Sequence, residues 1–150
     1  MEHTAKLLNA SHARVFALAG NATLTLVSVK TGTRFTYRIR EAGDEHNRVW
    51  FVNMLNGPDN EADYKYLGRV DGRLHLHIGR KSPRPYDISP DAKGAQAFTW
   101  FWNRMMSDQS FEGLIEVWHE GRCARCARKL TVPSSIESGF GPECVKFSCS

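Results

Sequence analysis

From Asn21 to Ile78 apolar and polar residues alternate largely with a period of two, and on either side of that stretch the spacing becomes that of a helix. "TLTLVSV" and "RFTYRIR" flank "KTGT" and predict a hairpin. Phe35, Tyr37 and Ile39 fall on one of its faces, and Arg34, Thr36, Arg38 and Arg40 on the other. "RVWFVNML" predicts a third strand, closed by the turn-rich acidic stretch "NGPDNEAD". "YKYLGRV" and "RLHLHIG" lie either side of Asp71-Gly72, a pair suited to a two-residue hairpin turn. The first twenty residues predict one or two short helical pieces with a glycine C-cap at Gly20. In "SPDAKGAQAFTWFWNRMM", Ser89 can cap a helix with Pro90 in its first turn. Phe98, Phe101, Trp102 and Met105 recur there at i, i+3, i+4 and i+7, so one helical face is apolar and predicted to cover the sheet. "GLIEVWH" predicts a last strand.

The pattern predicts an α+β protein. A mostly antiparallel sheet carries an aromatic-rich helix over residues 1–110, and residues 111–150 form a small C-terminal zinc-binding module. A hydrophobic content of 41% and a charged content of 24% lie in the globular range and argue against disorder. The longest apolar runs, such as "VFALAG" and "VWFV", are far short of the roughly 20 residues a bilayer span needs, so no membrane role is expected. Asn9, His12 and Arg14 interrupt the stretch where a secretory signal would be apolar, which points to the cytoplasm. In that compartment four cysteines read as thiols or metal ligands before disulfides.

Cys123 and Cys126 are separated by two residues, the spacing at which two thiolates reach one zinc ion from a tight turn, and Cys144 is a distant third. A redox pair is the competing reading, but such a pair usually opens a helix in a βαβ setting, whereas this one follows a strand. The fourth ligand is contested between His119 and Cys149. If a short helix runs on from Pro142, Cys149 stands about 140° round its axis from Cys144, facing away from the ion. His119 ends the strand that delivers Cys123 and is favoured. Four protein ligands leave no position for substrate or water, so the expected Zn2+ is structural.

"HEGRCARCARKLTVPSSIESGFGPEC" resembles the C-terminal zinc-ribbon-like module of a family of mostly uncharacterised phage and prophage proteins, in which a histidine and a C-x-x-C precede "LT.P.SI..G.GP.C". The resemblance is close over residues 119–144, and the upstream "AGNATLTLVSVKTGTRFTYRIR" and "WFVNMLNGPDN" look like the β-rich region before the module in some members. It implies His119, Cys123, Cys126 and Cys144 as ligands and Ser134, Gly139 and Gly141 as shape-setting positions. It implies a phage origin, hence a host bacterial cytoplasm, but no activity. Cys149 lies outside the shared pattern.

Arg122, Arg125, Arg128 and Lys129 stand in and after the knuckle and can make a positive patch suited to phosphate. The stripe Arg34, Arg38 and Arg40 adds a second. Tyr64, Tyr66, His75 and His77 could join it if exposed, although burial under the tryptophan helix is the ordinary expectation for such tyrosines. His75 and His77 share a strand face but lack a third metal ligand, and "DNEAD" lacks the glycine and distal glutamate of a calcium loop. No nucleophile elbow, phosphate loop, H-E-x-x-H pair or dinucleotide fingerprint is present. The reading is therefore a non-enzymatic phage or prophage accessory protein that binds nucleic acid or a host nucleoprotein complex. The rival is a protein-binding inhibitor of a host defence protein, of the anti-CRISPR kind, and a small enzyme comes third.

Overall fold

The computed structural model describes residues 6–7, 9–59, 62–120, 122–126 and 138–140. Its elements are β1 (Lys6–Leu7), α1 (Ala10–Ala17), β2 (Asn21–Ser28), β3 (Arg34–Ala42), β4 (Val49–Leu55), β5 (Tyr64–Val70), β6 (Leu76–Ile78), α2 (Lys93–Met106) and β7 (Ile115–His119). The strands form one antiparallel sheet in the order β1-β7-β2-β3-β4-β5-β6. Strand β7, which opens the expected zinc module, is thus inserted between β1 and β2. Among the described residues no helix is long and apolar enough to cross a membrane.

Alternation along the strands makes one face of the sheet apolar, and both helices lie on it. Leu24, Leu26, Tyr37, Ile39, Trp50, Val52, Met54, Val70 and Val117 are buried there. Helix α2 brings Phe98, Phe101, Trp102 and Met105 down onto them, as the i, i+3, i+4, i+7 spacing predicts. Tyr37 Oη donates to the Gly94 carbonyl at 2.6 Å, which satisfies the buried hydroxyl, and burial holds its pKa above the ordinary tyrosine value. Gly94 allows this close approach, because a Cβ there would collide with the Met54 sulfur. Helix α1 packs beside α2 and contributes Ala13, Phe16 and Ala17 to the same core.

Several local expectations are corrected. Helix α2 starts at Lys93 rather than at Ser89, because Ser89 closes a turn by accepting from the Asp91 and Ala92 amides. Helix α1 ends at Ala17 with Leu18 as its cap, two residues before Gly20. The β5–β6 connection is not a two-residue turn: Val70 pairs with Leu76, leaving Asp71–His75 as the loop. Asp71 holds that loop by accepting the Arg73 and His75 amides at 2.9 and 3.1 Å, and Leu74 takes a φ of 67°.

His77 Nε2 lies 2.8 Å from Asp71 Oδ2. Together with the two amides, this contact lowers the Asp71 pKa from the ordinary 3.8 to about 2, His77 being the largest cause. Since the folded-state value lies below that of the unfolded chain, the loop's stabilisation is complete above 3.8 and is lost as pH falls through about 2. A carboxyl NMR titration should find the Asp71 midpoint near 2, and His77→Ala should move it back toward 3.8. An Asp71 midpoint at 3.8 in the unmutated protein would contradict this account of the loop.

The largest correction concerns β5. Val52 pairs with Gly68 and Asn53 with Tyr66, so Leu67 is an extra, bulged residue. A strict period of two would put Tyr64, Tyr66 and Val70 on the helix-covered face. The bulge turns Leu67 inward, fully buried, and turns both tyrosines to the opposite face, which neither described helix covers and which is called the uncovered face below.

Candidate metal centre and basic sheet face

The last residue of β7, His119, pairs with Leu24 and so points to the covered side. Only 6% of it is exposed. Its ring stacks on Phe16 of α1, with centroids 5.4 Å apart, and Phe140 meets the edge of Phe16 at 6.1 Å.

Four positions past the end of β7 the chain reaches a tight turn at Cys123. This cysteine is fully buried, and its Sγ accepts the amides of Arg125 at 3.4 Å and Cys126 at 3.5 Å. Cys126 is exposed on the outer side of the turn.

The turn is pinned on both sides. The Ala124 carbonyl accepts the Asn21 amide at 2.6 Å, and the Arg125 carbonyl accepts Asn21 Nδ2 at 2.7 Å. The Ala124 amide donates to the Gly139 carbonyl at 2.9 Å. Gly139 has a φ of 83°, and a Cβ on it would lie 2.5 Å from the Phe16 ring and 3.7 Å from the His119 ring, so only glycine fits. His12 Nε2 contacts the Ser138 carbonyl at 2.7 Å. His119, the Cys123–Cys126 turn and the segment at Gly139 are therefore gathered where β2, β7 and α1 meet.

Cys144, Cys149, Arg128, Lys129, Ser134 and Gly141 lie outside the described residues. Among the described residues no group of three or more His, Cys, Asp or Glu side chains is arranged to hold a metal. His119, Cys123 and Cys126 are all among those residues, so the structure does not gather them as a donor set; by residue type alone, thiolate and imidazole suit the N/S preference of zinc.

The uncovered face carries the arginine stripe. Registers align Asn21, Arg40, Phe51, Arg69 and His77 in one row across β2 to β6, and Thr23, Arg38, Asn53 and Tyr66 in the next. The Arg38 guanidinium lies 3.9 Å from the centre of the Tyr64 ring, and that of Arg80 lies 3.7 Å from the centre of Tyr66. Phe51 stands 6.4 Å from Tyr66. Burial raises the Tyr64 pKa, with Arg38 partly offsetting it, so the phenol is neutral at physiological pH. Arg34, at the first position of β3, is about 20 Å from Arg40 by strand rise and lies away from this cluster. Of the two histidines, His77 faces the uncovered side, while His75 borders a cleft between β6 and α2.

Residues 118–146 match a family of unknown function, DUF6011. That segment takes in His119, Cys123, Cys126 and Cys144 and stops short of Cys149. No curated protein and no solved structure matches the chain. The match supplies no activity, so function rests on the site itself.

Phe51, Arg69 and Arg80 are absent from the sequence-based candidates. A signal for Phe51 was present in "WFVNM", where Trp50, Val52 and Met54 claim the core face and leave Phe51 and Asn53 outside. Arg69 carried the same signal, since a period of two with Val70 inside leaves it outside, whereas Arg80 carried none, because its position depends on the turn at Gly79.

Proposed function

We propose that this chain is a non-enzymatic nucleic-acid-binding accessory protein of phage or prophage type, with a structural zinc ion folding its C-terminal segment. His119, Cys123, Cys126 and Cys144 hold the ion, and four protein ligands leave no open position for catalysis. Phosphate is contacted by Arg122, Arg125, Arg128 and Lys129 of the zinc segment and by Arg38 and Arg40 of the sheet. The supporting observation is the pair of Asn21 hydrogen bonds to the turn. Asn21 begins β2 directly opposite Arg40, so the zinc turn and the arginine row adjoin on one edge of the uncovered face.

Binding to labelled DNA and RNA across a salt series tests this reading. Each phosphate contacted adds about 0.7–0.9 to the slope of log affinity against log salt. Changing Arg122, Arg125, Arg128 and Lys129 to alanine, with zinc retained, should flatten that slope by about 3. An unchanged slope and affinity would remove the mechanism. Salt-insensitive capture of a host protein instead of nucleic acid would favour the inhibitor reading.

A further inference from the structure

We propose that the uncovered face binds single-stranded nucleic acid in a groove beside β5, with an unpaired base laid against Phe51 and the phosphate backbone following Arg69, Arg80, Lys81 and Arg84. The proposal rests on the nucleic-acid reading above and names its substrate class. The groove has a volume of about 900 Å³ and is bordered by Phe51, Tyr66, Arg69, His77 and the segment from Ile78 to Arg84.

Its charge is one-sided. Asp87 is engaged by Arg80 at 2.8 Å and Asp71 by His77 at 2.8 Å, so each nearby carboxylate orients a basic side chain. Among the described residues, neither Arg69 nor Lys81 forms an ion pair. Cations of this kind, on a rim whose described lining holds no carboxylate, complement a polyanion.

The aromatic component selects the strand state. Arg80 already covers Tyr66, so the Arg80–Tyr66 stack is preformed, whereas Phe51 is 38% exposed. In a duplex every base face is occupied by its neighbour, and only an unpaired base can present a free face to Phe51. The row from Asn21 through Arg40, Phe51 and Arg69 to His77 crosses five strands. At roughly 4.8 Å per strand it is about 19 Å long. That length corresponds to the short end of single-strand footprints, about four nucleotides.

Fluorescence anisotropy of the full-length, zinc-loaded protein with labelled oligothymidylate and with a labelled duplex decides the matter. The single strand should bind more tightly. Phe51→Ala should weaken its binding about 5- to 100-fold and leave duplex binding unchanged. Phe51→Tyr, which keeps a ring, should restore it, and Arg69→Ala should lower the single-strand salt slope by about 0.7. Zinc content and melting temperature of each variant establish that the fold is retained. Equal affinity for both probes, insensitive to Phe51→Ala, would overturn the groove while leaving the phosphate-binding reading standing. No binding to either probe at low salt would remove both.

Discussion

Stripping zinc with a chelator is expected to release the Cys123–Cys126 turn from Asn21 and lower the melting temperature steeply. In small zinc domains the metal contributes about 10–16 kcal/mol to folding. Here the sheet has a core of its own, so only part of that is coupled to the main transition. Half of it would still lower the midpoint of a 150-residue chain by about 10–30 °C. Cys123→Ala should do the same without chelator, because it removes the sulfur that receives the Arg125 and Cys126 amides. His119→Ala should also release the ion, and Cys149→Ala should retain it. Elemental analysis for one zinc per chain, followed by calorimetry with and without chelator, checks each step. A purified protein with no zinc, or a melting curve indifferent to chelator, would defeat the proposal.

Phe16→Ala and Trp102→Ala form the second test. Both side chains are essentially fully buried, with 1% of each exposed, and truncating either should cost about 3–5 kcal/mol. Their consequences for the metal should differ. Phe16 is the surface against which the His119 ring stacks and against which Gly139 and Phe140 pack. Trp102 stacks on Phe98 and donates to the Leu74 carbonyl at 3.3 Å, at the opposite end of the core. Competition with a chromophoric chelator should show zinc affinity falling in Phe16→Ala and holding in Trp102→Ala. Equal affinity in the two variants would mean that α1 does not support the metal centre.

The strands and the covering helix were largely legible because burial imposes short-range periods on sequence: two in a strand, 3.6 in a helix. Phe35, Tyr37 and Ile39 against Arg38 and Arg40, and Phe98, Phe101, Trp102 and Met105 together, required no partner to be recognised. The ends of α2 and of the β5–β6 loop were not legible, because local side-chain-to-amide bonds at Ser89 and Asp71 outcompeted the expected helix cap and tight turn. In the candidate metal centre, C-x-x-C spacing drew attention to Cys123 and Cys126, since ligands to one ion can be close in sequence. The support from Phe16, Gly139 and Asn21 was hidden because it comes from positions far along the chain.

By itself, then, the sequence determined an α+β chain with one amphipathic sheet, an aromatic helix to cover it, an arginine stripe on β3, and thiols spaced for a knuckle. Tertiary structure alone decided the insertion of β7 between β1 and β2, which sets His119 against α1. It also decided which way Tyr64 and Tyr66 face. One unpaired residue, Leu67, shifts the β5 register and sends both tyrosines to the arginine side. The physical reason is common to both: strand order and register are settled by pairing between distant segments, and a period of two has no memory of an inserted residue until a partner strand counts it.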